Sequence, residues 1–195
     1  MSDITIVIAS CSGYGHTAQI ATAVADGARA VPGTQVIRVD VASLSDADWE
    51  LLDDADAIVF GSPTYMGTAS GAFHAFAEAS SKRWSTRAWR DKLAAGFTNS
   101  GSMSGDKLHT LQYFALLAAQ HGMLWVSLDL LPGWNTTTSS PGDDNRLGFY
   151  LGAGAQSFND TAAVHDADLN TARHLGRRVA EQTRIHRAGK AAAAR

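Results

Sequence analysis

The stretch that decides the fold is ITIVIASCSGYGHTA, residues 4–18. Its first part, Ile4–Ala9, is a short apolar run rich in β-branched residues, the pattern of a strand buried on both faces of a parallel sheet. Its second part is rich in glycine and hydroxyl side chains and leads into a helical pattern from Thr17 to Val31. The first N–H groups of a helix have no partner within it, so this turn suits an anion.

The same succession of strand, loop and helix recurs along the chain. Further strands are predicted at Val36–Val39, Ala57–Gly61, Lys92–Thr98 and Leu124–Leu130, and further helices at about 45–53, 71–81, 107–122 and 166–187. Five strands that alternate with five helices predict an α/β fold, a doubly wound parallel sheet in three layers. We expect a single domain over residues 1–187 and a frayed tail at 188–195. The long irregular segment from Pro132 to about Val164 is typical of a functional or mobile loop.

Composition and charge narrow the function classes. The 195 residues are 45% hydrophobic, enough for one domain with a full core. A net charge of −3 with scattered Lys and Arg predicts no nucleic-acid partner. No apolar run reaches the roughly 18 residues of a membrane span. Met1-Ser2-Asp3 leads directly into a strand, and one cysteine excludes an intrachain disulfide, so we expect a cytoplasmic protein. The seven histidines lack metal-ligand spacing, so no metal is expected.

Three glycine-rich loops follow three of the predicted strands. We name them loop 1 (residues 10–17), loop 2 (62–67) and loop 3 (99–105). Loops at the carboxyl ends of neighbouring parallel strands converge on one crevice. Backbone N–H groups, hydroxyls and large side chains there suit a phosphate attached to a flat ring, and FMN is the leading candidate. The candidate cofactor residues are Ser10, Ser12, Gly13, Tyr14, Gly15, His16 and Thr17; Pro63, Thr64, Tyr65, Met66 and Gly67; and Asn99, Ser100, Gly101, Ser102 and Gly105.

Loop 1 also admits a second interpretation. Residues 13–18 match the G-x-G-x-x-G/A pattern of dinucleotide-binding folds, and Asp40 lies near the end of the second strand, where a ribose-binding acid would lie. The hydroxyls of Ser10, Ser12 and Thr17 favour a terminal phosphate instead, because it has more oxygens to satisfy than a pyrophosphate bridge. No Lys follows the glycines, so a nucleotide-hydrolysing loop is excluded. A Rossmann-type NAD-dependent dehydrogenase stays an alternative.

Loops 2 and 3 favour a flavin. The flavin ring needs aromatic or apolar cover, which Tyr65 or Met66 would supply. Its polar edge needs backbone donors, which the peptides of residues 99–102 would supply. Taken alone, Tyr65 is also compatible with an ordinary surface tyrosine.

These residues also carry a family resemblance. The motifs at 12–17, 61–67, 97–102 and 121–123 resemble the flavodoxin-like NAD(P)H:quinone oxidoreductases, a family that includes the tryptophan-repressor-binding-protein-like enzymes and related NADPH-dependent FMN reductases. The resemblance spans about residues 4–185 and implies a five-stranded parallel sheet of order 2-1-3-4-5 with FMN at the strand ends. It implies a homodimer or homotetramer that takes electrons from NADH or NADPH and passes them to a quinone. It also implies a substrate pocket formed by Tyr65, Trp84 and His121.

Two functions follow from this interpretation. The first is an enzyme in which bound FMN carries the chemistry, so that no catalytic side chain is assigned. The second is a flavodoxin-type electron carrier. Carriers of that type are strongly acidic for docking on basic partners, and a net charge of −3 is mild by comparison. The charge therefore favours the enzyme.

Overall fold

A computed structural model describes residues 3–194. Its elements, in chain order, are β1 (Ile4–Ser10), α1 (His16–Arg29), β2 (Thr34–Asp40), α2 (Asp46–Asp54), β3 (Ala57–Tyr65), β4 (Thr68–Ala69), α3 (Gly71–Ala79), α4 (Ser81–Thr86), β5 (Leu93–Ser100), α5 (Lys107–Gln120), β6 (Leu124–Trp125), β7 (Ala153–Gln156) and α6 (Asp166–Ala193). Within the described range, no helix combines the length and apolar character needed to cross a bilayer.

The main sheet is parallel, with the strand order β2-β1-β3-β5-β6. Counted over the five main strand positions this is 2-1-3-4-5, so the expected flavodoxin-like fold is confirmed. The order 3-2-1-4-5-6 of a Rossmann dehydrogenase is excluded. In the register, Ser10 lies opposite both Asp40 and Gly61, and Pro63 lies opposite Asn99. Loops 1, 2 and 3 therefore leave the sheet at one side, which we call the carboxyl edge.

Helices cover both faces of the sheet because successive strand residues point to opposite sides. Ile6 and Ile8 of β1 pack with α1 and α6, whereas Val7 packs with α2, α3 and α5. Helices α1 and α6 approach closely at Gly27, where a Cβ atom would lie 1.9 Å from the carbonyl oxygen of Arg173. The three expected layers are present.

The prediction of one continuous fifth strand at Leu124–Leu130 is wrong. Only Leu124–Trp125 pairs with the start of β5, and Ala153–Gln156 pairs with its end. Residues 126–152 leave the sheet between these two pieces; Asp129 turns the chain with a φ of 52°. The chain re-enters at Gly152, where a Cβ atom would lie 2.2 Å from the carbonyl oxygen of Gly96. We call residues 126–152 the insertion.

The last helix continues past the predicted end at Arg187 to Ala193. Residues 188–194 are exposed, and the segment expected as a tail is helical over 188–193. The prediction that this end frays concerns its motion and stays a prediction.

Candidate cofactor site

Loops 1, 2 and 3 contact one another at the carboxyl edge. The Thr17 hydroxyl donates to Asn99 Oδ1 at 2.5 Å, and both residues are buried. The Tyr65 phenol lies over Gly13, where an added Cβ atom would be 2.3 Å from Tyr65 Oη. Loop 1 thus contacts both loop 2 and loop 3 at the carboxyl edge.

Loop 1 presents N–H groups at the start of α1. Gly15 has a φ of 92°, a conformation that glycine adopts without strain, and a Cβ atom there would meet open space. The hydroxyl of Ser12 accepts from the N–H groups of Gly15 and Ala18, at 3.1 and 3.2 Å. An oxygen acceptor is therefore favoured at this helix start, as a bound phosphate would require.

Thr17 has a role that differs from the predicted one. Its hydroxyl is 2% exposed and donates to Asn99, so it joins loop 1 to loop 3 instead of lining the open side of the loop. His16 is half-buried, and its Nε2 contacts the carbonyl oxygen of Thr161 at 2.8 Å.

Loop 2 divides into a buried and an exposed half. Pro63 and Thr64 are buried residues of β3, and Thr64 Oγ1 lies 2.8 Å from the hydroxyls of both Thr98 and Thr110. Tyr65 and Met66 point outward, and Met66 has a φ of 50°. Burial, with smaller contributions from Tyr14 and Cys11, raises the pKa of the Tyr65 phenol, so it stays a hydroxyl donor at neutral pH. Only the exposed half of loop 2 is placed to cover a ring.

Loop 3 is held from below by Lys107, which sequence reasoning recognised only as the start of a helix. The side chain is fully buried, and Nζ donates to Ser100 Oγ at 2.8 Å and to the carbonyl oxygen of Ser102 at 2.7 Å. Burial lowers the pKa of Lys107 to about 8. A lysine two residues after a glycine-rich loop was the available signal, but its burial is a tertiary property.

A second group behind loop 3 also escaped sequence reasoning. Gln156 of β7 donates from Nε2 to the carbonyl oxygen of Gly101 at 3.2 Å, and its N–H donates to Asp168 at 2.9 Å. Asp168 also forms a bidentate, buried ion pair with Arg146 of the insertion, at 2.8 and 2.9 Å. Loop 3 is thereby connected to the insertion.

The segment after β7, residues 157–164, spans loops 1 and 3. Asn99 Nδ2 donates to Ser157 Oγ at 2.8 Å, and the carbonyl oxygen of Thr161 contacts His16. Phe158 between them is 55% exposed. This segment is therefore a fourth wall of the candidate site.

Within one chain, the structure does not bring together Tyr65, Trp84 and His121, the residues of the predicted substrate pocket. His121 follows the last residue of α5, whereas loop 3 precedes its first residue, and 14 helical residues separate them by about 20 Å. Trp84 is half-exposed on α4 and lines a cavity together with His121 at that opposite end. His121 stacks on the fully buried Trp89, with ring centroids 4.4 Å apart.

The site residues fit FMN. N–H groups and hydroxyls at the start of α1 suit its phosphate, and one buried cation lies beneath loop 3. Large side chains are exposed at the same edge, as a flat ring would require: Tyr14 is 86%, Tyr65 41%, Met66 102% and Met103 51% exposed. Fold and site together define a flavodoxin-like, FMN-binding protein.

Comparisons with known proteins agree with this class. The sequence model of the NADPH-dependent FMN reductase family matches residues 2–130. The chain is 45% identical over 177 residues to the flavodoxin FldP of Pseudomonas aeruginosa, covering 89% of this chain and 94% of that protein. It is 32% identical over 203 residues to an NAD(P)H dehydrogenase (quinone) of Archaeoglobus fulgidus, covering 93% and 97%. The crystal structure of a WrbA-like flavodoxin from Agrobacterium tumefaciens superposes with a TM-score of 0.76 at 44% identity, covering 95% and 99%.

The chain therefore belongs to the NADPH-dependent FMN reductase family. The family confirms the expected resemblance, the class of enzyme, and FMN with NAD(P)H as the cofactor and electron donor.

Proposed function

We propose that this protein oxidises NADH or NADPH through FMN bound at the carboxyl edge and reduces a quinone or a similar small acceptor. The observation that carries the proposal is the convergence of loops 1, 2 and 3, with Tyr14 and Met66 exposed beside the site. An open, apolar rim leaves room for a second planar molecule to stack, and an enzyme of this class needs that room for both of its substrates.

Each loop has a distinct role in this proposal. Loop 1 binds the phosphate through N–H groups, with Ser12 shaping the turn. Tyr65 and Met66 cover the ring, and the peptides of loop 3 face its polar edge. Lys107 holds loop 3 and places a positive charge beneath it. The bound cofactor supplies hydride acceptance and two-electron transfer, and the protein supplies orientation and electrostatics.

One observation favours the carrier function: the relative with 45% identity bears the name flavodoxin. Against it stand the mild net charge of −3 and the match to a reductase family. The insertion, which Arg146 connects to loop 3 through Asp168 and Gln156, also adds structure beside the site that suits an enzyme better than a small carrier.

A titration with FMN followed by anaerobic NADPH tests the proposal. We expect tight binding of FMN, weaker binding of riboflavin, bleaching by NADPH, and steady turnover when benzoquinone is added. Stepwise dithionite reduction should show one two-electron step. Two separate one-electron steps without NADPH turnover would instead establish the carrier. Equal affinity for riboflavin and FMN would contradict the phosphate position in loop 1.

We further propose a homodimer or homotetramer in the cytoplasm. Trp84 and Leu116 line one cavity beside α3 and α5 and are 50% and 68% exposed, and buried contacts between copies would cover them. The sole cysteine, Cys11, is free, as a reducing compartment permits. Sedimentation analysis and cell fractionation test the two statements; a monomer, or a signal outside the cytoplasm, would contradict them.

A further inference from the structure

A cleft lies between loop 1 and the end of the edge strand β2. It has a volume of about 300 Å3 and is lined by Ser10, Ser12, Ala18, Arg38 and Asp40, among others. Arg38 and Asp40 end β2, so the cleft lies at the carboxyl edge, next to the loop proposed for the FMN phosphate. The role proposed for the cofactor site does not use either charged side chain.

Arg38 is anchored but retains free donors. Nη1 donates to Thr22 Oγ1 at 2.9 Å and Nη2 donates to the carbonyl oxygen of Ala18 at 3.3 Å. A guanidinium carries five N–H groups, so these two bonds fix its position against α1 and leave donors for a ligand. The side chain is exposed on its open side.

Asp40 shares the cleft with Arg38, yet the two do not pair. The ion pairs of residues 3–194 join other side chains. Asp40 accepts from the N–H of Ala42 through Oδ1 at 3.0 Å, which holds the carboxylate in place. A guanidinium and a carboxylate that line one cleft without neutralising each other provide a donor group and an acceptor group side by side.

These two groups match the adenosine ribose of a nicotinamide dinucleotide. A carboxylate at the end of a second strand accepts from ribose hydroxyls in NAD-binding folds, and an arginine nearby binds the 2′-phosphate of NADP. Guanidinium and phosphate pair through parallel hydrogen bonds, so the arginine distinguishes the phosphorylated ribose from the free one.

The position of the cleft agrees with a donor that also reaches the flavin ring. The cleft lies at β2, and the ring position is proposed between the loops that follow β3 and β5. With the order β2-β1-β3-β5, the two places are two to three strand spacings apart, about 10–14 Å. An extended dinucleotide is long enough to span that distance, and Tyr14, which is 86% exposed, belongs to loop 1 beside the cleft.

We propose that this cleft binds the adenosine ribose of the electron donor, with Arg38 binding the 2′-phosphate of NADPH and Asp40 accepting from the ribose hydroxyls of NADH. The inference rests on the proposed function, since it names where the electron donor of that reaction binds. It predicts opposite effects on the two nucleotides from two neighbouring residues.

Steady-state kinetics of the FMN-loaded protein test this pair of roles. Arg38→Ala should raise KM for NADPH about tenfold to a hundredfold, as the loss of a charge-assisted hydrogen bond does, and change KM for NADH less than about twofold. Asp40→Asn should raise KM for NADH several-fold and leave that for NADPH unchanged or lower. Arg29→Ala, an exposed arginine near the other end of α1, is the matched control and should change neither. Equal effects of Arg38→Ala on both nucleotides would overturn the assignment.

Calorimetry with adenosine 2′,5′-bisphosphate tests the cleft without turnover. Wild type should bind it, and Arg38→Ala should lose that binding while its FMN affinity and thermal midpoint stay unchanged. If wild type oxidises neither nucleotide, the proposed function fails, but this test still shows whether the cleft binds a phosphorylated adenosine ribose. Undiminished binding of the bisphosphate by Arg38→Ala would refute the inference. A parallel loss of FMN affinity would also refute it, because it would place Arg38 at the FMN phosphate.

Discussion

Replacing Lys107 by Met is expected to weaken FMN binding. Met keeps the length and apolar stem of the side chain but removes the ammonium that donates to Ser100 and Ser102. Each hydrogen bond from a charged group contributes about 1.5–3 kcal/mol. Part of this lost free energy lowers the stability of the folded protein, and part alters the shape of loop 3. We therefore expect Kd for FMN to rise about tenfold to a hundredfold, and Kd for riboflavin by the same factor, because loop 3 faces the ring.

The same substitution changes how stability depends on pH. Burial lowers the pKa of Lys107 from 10.5 to about 8. The buried ammonium therefore costs at most about 3 kcal/mol at neutral pH, because a tenfold change in a protonation equilibrium corresponds to about 1.4 kcal/mol. Lys107→Met removes this cost, which at pH 7 offsets much of the free energy lost with the two hydrogen bonds. Between pH 8 and 10.5 the unfolded chain holds a proton that the folded chain has released, so the free energy of unfolding of wild type rises with pH.

The free energy of unfolding of Lys107→Met lacks this rise, so wild type should gain stability relative to the variant between pH 8 and 10.5. Denaturant unfolding at several pH values measures the gain, and flavin fluorescence titration measures Kd. Lys92→Met is the matched control: Lys92 is also a lysine whose pKa burial lowers, but its Nζ donates to the carbonyl oxygens of Asp53 and Ala55 at the opposite end of the sheet. It should alter stability and leave Kd for FMN within about twofold. The reasoning is refuted if Lys107→Met binds FMN like wild type, or if both variants weaken it equally.

Three further predictions follow from the structure. The double variant Ser12→Ala, Thr17→Ala should weaken FMN several-fold to about a hundredfold in a fluorescence titration, at roughly 1 kcal/mol per lost hydrogen bond, because it removes the bonds that shape loop 1 and join it to loop 3; unchanged affinity would show that FMN binding does not depend on the shape of loop 1. Trp84→Ala should leave Kd for FMN and KM for benzoquinone unchanged, because within one subunit Trp84 lies beside His121, far from loop 3. A rise in KM with an unchanged Kd would contradict this and show that a second subunit places Trp84 beside the flavin. Burial lowers the pKa of His121 below 6.5, so the unfolded chain binds its proton first and stability falls as pH drops through that value. His121→Gln should reduce this acid-side loss in unfolding experiments, and an unaltered pH profile would contradict the assignment.

Local patterns in the sequence were sufficient for the elements that build the cofactor site. The apolar run at Ile4–Ala9 and the hydroxyl-rich turn after it predicted β1 and loop 1, because a buried strand and a helix start both depend on neighbouring residues. The same holds for β3 and β5 with loops 2 and 3. Once these strands lie parallel, their loops must meet at one edge, so most of the candidate cofactor residues followed from the sequence.

Tertiary structure alone decided which side chains share a site. Periodicity shows the face on which a residue lies but not its distance from a residue elsewhere in the chain. The helix predicted over 107–122 already separated His121 from loop 3 by about 20 Å, but periodicity did not show that Trp84 lines a cavity with His121. The same limit hid the burial of Lys107 and the bond from Thr17 to Asn99, residues 82 positions apart. The interruption of the fifth strand also escaped prediction, because Leu124–Leu130 has good local strand character. The chain returns to the sheet at Gly152, whose close approach to Gly96 leaves no room for a side chain.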